Sequence, residues 1–232
     1  MCYNLSMTQF RKDPLVNDQY YHIFSRSIGK FTIFNNDHEF GRFRQLMELF
    51  RFVDFNYKYS EFIELNASKR LEILSGLYQK PDVLIEIIAF CLMPTHFHLI
   101  LKQKNTDGIT NYISRVLNGY SRYFNVKHRR TGPLWSGRFK NVLVLDNDQL
   151  LHLTRYIHLN PASADLVKNP EDWQFSSYIE YINNIAGKKS FCEFSNLIDK
   201  SPDEYRKFVN DRKSYQRELS LIKNLTIDNY SG

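Results

Sequence analysis

The chain predicts an α+β domain: a ferredoxin-like βαββαβ antiparallel sheet with helices on one face, one additional helix, and a helical C-terminal extension. Three observations carry this reading. Val83 to Met93 (VLIEIIAFCLM) is a nearly unbroken β-branched and aromatic run, and Pro94-Thr95 turns it into a second strand, His96 to Lys102. Two long segments, on either side of that hairpin, repeat apolar residues at helical spacing. Shorter strand-like runs precede the first of these helices and follow the second. Strand, helix, strand, strand, helix, strand is the ferredoxin-like order, which leaves the second face of the sheet open.

The elements follow in turn. Tyr20 to Ser27 (YYHIFSRS) is an aromatic-rich first strand. Asn36 or Asp37 can cap a helix from about His38 to Phe55, in which Phe40, Phe43, Leu46, Met47 and Phe50 recur at helical spacing. Tyr59 to Gln79 is helical with a break near Asn66, and the stretch from 57 to 81 reads as an insertion. A helix from about Thr110 to Lys127 leads into the loop RRTGPLWSG and a strand from Arg138 to Leu145. Asp146 to Asp148 caps a last core helix, which Pro161 is expected to terminate. This divides the chain into a domain over residues 1–182 and an extension over 183–232, where Phe194, Leu197, Tyr205 and Phe208 are the packing residues.

The chain has 232 residues, of which 43% are hydrophobic and 15% aromatic, enough for a real core and too apolar for global disorder. No run approaches the ~18 apolar residues of a membrane span, and Met1 to Asp18 is too polar for a signal peptide. Cys2, Cys91 and Cys192 suit neither a disulfide framework nor a zinc knuckle, so a cytoplasmic, reducing location is expected. Net charge is +6, and its distribution is uneven. Between Asp107 and Asp146 there is no acidic residue but seven cations: Arg115, Arg122, Lys127, Arg129, Arg130, Arg138 and Lys140. Six minus seven leaves the remainder near −1, so the basicity is a single block. Tyr112, Tyr120, Tyr123, Phe124, Trp135 and Phe139 are interleaved with it. Cations beside aromatic faces suit a single-stranded nucleic acid, whose bases stack while its phosphates are neutralised. Arg122, Arg129, Arg130, Trp135, Arg138 and Lys140 are therefore the DNA-binding candidates, expected to line one surface, and the protein is expected to associate with the nucleoid.

Alternation along the second hairpin strand puts Phe97, Leu99 and Leu101 on the core side and His96, His98 and Ile100 on the other. Two neighbouring imidazoles facing away from the core can share a cation, although a His-x-His triplet is weak evidence by itself. In the last core helix Leu150, Leu153 and Ile157 form an apolar stripe, and Tyr156 and Asn160 are one turn apart on another. An amide oxygen with imidazoles makes a mixed site suited to Mg2+ or Mn2+. Tyr120 and Tyr123 are rival nucleophiles, but neither has an amide one turn on. His152 and His158, flanking Tyr156, read as solvated helix residues.

Several strings resemble one family. Met93-Pro94-Thr95-His96-Phe97-His98-Leu99-Ile100 is similar to the histidine strand of single-tyrosine HUH transposases of the insertion-sequence type, especially the REP-associated tyrosine transposases. Arg155-Tyr156-Ile157-His158-Leu159-Asn160-Pro161 resembles their tyrosine helix. Gly132-Pro133-Leu134-Trp135 with Arg138-Phe139-Lys140 looks like their basic loop and strand. Tyr21 to Arg26 and Trp173 to Tyr178 echo the opening and closing segments, so the likeness runs over residues 20–180. The insertion at 57–81 departs from the most compact members. The resemblance implies a nicking and rejoining enzyme for single-stranded, hairpin-forming DNA, with Tyr156 as nucleophile and a metal held by His96, His98 and Asn160. It implies a 5′-phosphotyrosine intermediate and leaves open monomer or homodimer, and cis or trans use of the tyrosine. The alternative is a transposase-derived module that binds nucleic acid without cutting it. No Walker-type or dinucleotide-binding glycine motif is present, and rejoining through a stored ester needs no nucleotide.

Overall fold

The computed structural model describes residues 13–183 and 190–211; Cys2 and the part of the expected extension beyond 211 lie outside the described residues. Four antiparallel strands form one sheet: β1 (Tyr20–Arg26), β2 (Ile85–Met93), β3 (His96–Gln103) and β4 (Lys140–Val144), in the order β2-β3-β1-β4. This is the ferredoxin-like order that the sequence predicts. A register shift between Ile87 and Ala89 bulges β2, and the Ile88 carbonyl accepts a hydrogen bond from the Tyr181 hydroxyl at 2.8 Å.

Helices α1 (Asp37–Phe50) and α4 (Gly108–Lys127) cover the face that carries Tyr21, Ile23, Phe97, Leu99 and Leu101. Phe43 packs 5.3 Å from Phe97, and Gly119 lets the helices approach, since a Cβ there would lie 3.1 Å from the Phe50 ring. At one end the pair is clamped by the buried Glu39 carboxylate, which accepts from Lys127 Nζ at 2.8 Å and sits 2.7 Å from His128 Nε2. Burial works against the charged form of Glu39, yet hydrogen bonds from Lys127, Asn35 and His128 outweigh it and hold the carboxyl at about 2. Within the insertion, Asn66 ends the first helical piece and caps the second, giving α2 (Tyr59–Glu64) and α3 (Ala67–Gln79), with Asn66 Oδ1 accepting from Lys69 N.

The expectation of an open second face is corrected by helix α5 (Asn147–Ser163), which lies across it. The helix is buried from Leu153 to Leu159 without a break, so it has no solvated face along that stretch. One side meets the sheet. The other is covered by α6 (Tyr178–Ile182) and α7 (Pro202–Asn210), with Tyr181 stacked on Phe194 at 3.8 Å. Residues 190–211 thus pack on the same core as the tyrosine helix. Pro161 does not end α5 as expected; the helix runs on to Ser163, because a proline in the last turn sacrifices little of the hydrogen-bond ladder.

Candidate active site

The face beneath α5 carries the imidazoles. Pairing puts Phe24 opposite His98, His22 opposite Ile100 and Arg26 opposite His96, so all six share one side of the sheet. Alternation along β3 therefore holds as read, but the side chains do not look into solvent. His98 is 0% exposed. Its Nδ1 lies 3.0 Å from Nε2 of His22, the two rings being stacked 5.2 Å apart. Its Nε2 is buried with no hydrogen-bond partner among the described residues. Burial, reinforced by His22, His96 and Arg26, pushes the His98 imidazole well below its ordinary value, so the ring is neutral. His96, half-buried, stands perpendicular to His98 at 5.1 Å, with Nδ1 3.0 Å from Thr95 Oγ1.

Tyr156 reaches the same place from α5. Its ring, on a residue only 8% exposed, meets His98 edge-on at 5.7 Å and His22 at 6.4 Å. The chain's own tyrosine therefore stands over its own imidazoles. Asn160 follows one turn later, half-buried, its Nδ2 donating to the Tyr156 carbonyl at 3.4 Å. Among the described residues no three His, Cys, Asp or Glu side chains converge as a metal site.

Two further histidines change their meaning. His158, expected in solvent, is fully buried, and burial drops it to about 3. It belongs to a polar chain. The Phe90 amide donates to Ser177 Oγ, which lies 2.8 Å from His158 Nε2; His158 Nδ1 lies 2.8 Å from the Tyr205 hydroxyl. Tyr205 donates to Thr154 Oγ1, and Thr154 donates to the Leu151 carbonyl. Since the Tyr205 proton is committed to Thr154, Nδ1 of His158 is the donor and Nε2 the acceptor. His152 packs on Phe208, with ring centroids 5.5 Å apart. His22 was missed by sequence reasoning: its place on an aromatic strand was visible, but its closeness to His98 depends on β1–β3 register.

The basic block divides. Lys140 pairs with Phe24 and so shares the imidazole face. Arg138 and Arg129 are exposed. Arg130 is engaged in its own loop, donating to Asn125 Oδ1 at 2.9 Å and the Pro133 carbonyl at 2.6 Å. Trp135 packs on Phe97 across the sheet from the imidazoles, 5.6 Å between centroids, and donates Nε1 to Ser121 Oγ. Arg122 lines a groove between α1, α4 and the insertion. Lys140 thus lies on one side of the sheet and Arg122 and Trp135 on the other, so the six do not line one surface. Rival nucleophile Tyr120 is fully buried and donates to the Ile33 carbonyl at 2.6 Å, and burial pushes its hydroxyl far above the ordinary value.

Comparison with known proteins bears on this arrangement. Residues 53–160, which contain both β3 imidazoles, the basic block, Tyr156 and Asn160, match the family described as Transposase IS200 like. A Haemophilus influenzae protein named for the REP-associated tyrosine transposases is 30% identical over 104 residues, 40% of this chain and 58% of that relative. The chain therefore spans little more than half of that relative's length. The REP-associated tyrosine transposase of Escherichia coli K12 is 24% identical over 121 residues, 48% of this chain and 70% of the relative. A solved REP-associated tyrosine transposase, bound to a REP hairpin, shares the fold with a TM-score of 0.50 at 16% identity, over 84% of this chain and 96% of that one. With the sheet order, the histidine strand and the tyrosine helix in their expected succession, residues 53–160 are similar to the IS200-like transposases, and the chain resembles the REP-associated tyrosine transposases in sequence and shares their fold.

Proposed function

We propose that the chain nicks and rejoins single-stranded, hairpin-forming DNA, with Tyr156 as the nucleophile. One observation carries the reading: the Tyr156 ring sits against His98, whose Nε2 is buried without a partner and therefore suits a ligand. With His98 Nδ1–H donating to His22 Nε2, the lone pair of His98 Nε2 is left for a cation. His96 would bind through Nε2, with Nδ1–H donating to Thr95 Oγ1. Asn160 would add an oxygen once its amide turned from the helix backbone, and a substrate phosphate the rest. When bound, Mg2+ or Mn2+ would stabilise negative charge growing on the phosphate oxygens.

Tyr156 Oη attacks phosphorus, and the bond from phosphorus to the 3′ oxygen breaks. The phenol proton passes to water, and the departing oxygen takes one up as a 3′-hydroxyl. The 5′-phosphate remains on the tyrosine. Rejoining reverses these steps on a new 3′-hydroxyl, with no external energy source. Lys140 on the imidazole face, together with exposed Arg138 and Arg129, would hold the flanking phosphates.

The test is incubation with labelled single-stranded oligonucleotides and Mg2+ or Mn2+. Wild type should form a covalent protein–DNA band, absent from Tyr156→Phe, which should still bind DNA. A Tyr156→Phe adduct at the wild-type rate would remove Tyr156 from the role. No adduct from wild type on any substrate or divalent ion would favour a module that binds DNA without cutting it.

A further inference from the structure

Across the sheet from Tyr156, a groove of about 1010 Å3 runs between α1, α4 and the insertion. It lies at the upper end of the range for clefts that hold organic ligands, roughly 300–1,000 Å3. Its composition is selective. Five cations line it and no Asp or Glu does. Lys58 and Lys127 are paired with Glu61 and Glu39, and Arg115 is held by the carbonyls of Phe50, Phe52 and Phe55. Arg42 and Arg122 have no carboxylate partner among the described residues. Arg42 lies between two rings, 4.3 Å from the Tyr59 centroid and 4.6 Å from that of Tyr123, and its buried Nε has no hydrogen-bond partner. Val126, 81% exposed, and Ile63, 38% exposed, add an apolar surface open to water. Such a combination of tyrosine faces, exposed aliphatics and unopposed guanidinium groups asks for a flat apolar ligand that carries negative charge.

We propose that this groove is a second single-stranded DNA site, in which bases lie against Tyr57, Val126 and Ile63 and extend the Arg42–Tyr59 stack, while phosphates rest on Arg122 and on the unpartnered N–H edge of Arg42. This deepens the nicking reading and rests on it for the class of ligand. An acidic peptide would satisfy the cations but has no use for the aromatic and aliphatic surface beside them. A helix with an apolar face would meet the aliphatics but would leave Arg42 and Arg122 uncompensated. A strand of nucleotides uses both, and base–aromatic stacking tolerates any sequence. The insertion would thus anchor DNA outside the segment being cut, on the opposite side of the sheet from the chemistry.

The experiment is photocrosslinking of the full chain to single-stranded oligonucleotides carrying 5-iodouracil, with the modified peptides mapped by mass spectrometry. Crosslinks are expected on Tyr57 or Tyr59. Asn118→Trp, an exposed α4 position lining the groove, should fill it without touching the core, and Arg122→Glu should reverse its charge. Each should lose those crosslinks and weaken oligonucleotide binding by about tenfold, with melting temperature unchanged. Adduct formation at Tyr156 on a short oligonucleotide should persist in Asn118→Trp. Crosslinks confined to the Tyr156 side, with wild-type affinity in both variants, would overturn the groove site and leave the nicking reading intact. A polyglutamate peptide that displaces oligonucleotide from the groove at lower concentration than unlabelled DNA would also overturn it. Groove crosslinks without any Tyr156 adduct would uphold the site while removing the nicking reading.

Discussion

His22→Phe separates packing from metal orientation at the site. The residue is fully buried, stacked on His98 and in ring contact with Phe24 at 4.9 Å, so a phenyl ring fills most of its space. What it removes is the 3.0 Å contact to His98 Nδ1. A buried donor left without a partner costs about 1–3 kcal/mol. At roughly 2–4 °C per kcal/mol for a chain of this size, melting should fall by roughly 2–12 °C. If His98 Nε2 binds the cation, loss of its orienting partner should also weaken Mn2+ binding by roughly 10–100-fold, or about 1.4–2.7 kcal/mol. His22→Gln keeps an acceptor and should recover part of both effects. Calorimetric Mn2+ titration beside a thermal melt reads the two quantities separately. A lower melting temperature with unchanged Mn2+ affinity would refute the orienting role and leave His22 as a packing residue.

Other perturbations are as specific. Tyr120→Phe leaves the buried Ile33 carbonyl without its hydroxyl partner, so it should cost about 1–3 kcal/mol in urea unfolding and leave Tyr156 adduct formation intact. Adduct loss in that variant would make Tyr120 a contender again. Glu39 is held at about 2 against an ordinary 4.5, a depressed carboxylate, so its stabilisation is present above pH 4.5 and is lost as pH falls through 2. The difference amounts to about 3 kcal/mol, and Glu39→Gln should flatten the loss of unfolding free energy over that window. Replacing Arg129, Arg138 and Lys140 together by Ala should reduce the slope of log affinity against log salt for single-stranded DNA by about 2. An unchanged slope would mean these three cations do not meet phosphate.

The sheet was legible because its signals are local. The β2–β3 hairpin declares itself by a β-branched run, a turn and alternation, and Asn36, Asn66 and Asp146 each cap the helix they precede. The side chains of the tyrosine helix misled because their partners are distant. His158 reads as solvated on a helix that also carries Arg155, Tyr156 and Asn160, yet Ser177 and Tyr205 satisfy it from 19 and 47 residues away. Arg155, which composition would also leave in water, is buried with its guanidinium over Phe208 at 4.7 Å and donating to the Asp211 carbonyl. A polar face reads as exposed until its hydrogen-bond partners are known. The basic block failed differently: contiguity in sequence said nothing of which side of the sheet each cation would occupy, and a strand and a helix carried them apart.

That distant bonding also ties the last described residues to the chemistry. The position of Tyr156 over His98 depends on how α5 sits, and α5 is held by a polar chain from Phe90 on the sheet through Ser177 and His158 to Tyr205 on α7. Tyr205→Phe deletes one oxygen and leaves two buried groups, His158 Nδ1–H and Thr154 Oγ1, short of a partner. At about 1–3 kcal/mol for each unsatisfied group, α5 should be loosened by roughly 2–6 kcal/mol, with little change in β2 and β3. Amide exchange should therefore quicken in α5 while the central strands keep their protection. Adduct formation should slow although no proposed ligand or nucleophile has been altered, and Mn2+ affinity at His96 and His98 should change less than the adduct rate. If exchange in α5 is unaffected and the adduct forms at the wild-type rate, the tyrosine helix is held by its apolar contacts with the sheet, through Leu150, Leu153 and Ile157, and the polar chain only satisfies groups that burial had stranded.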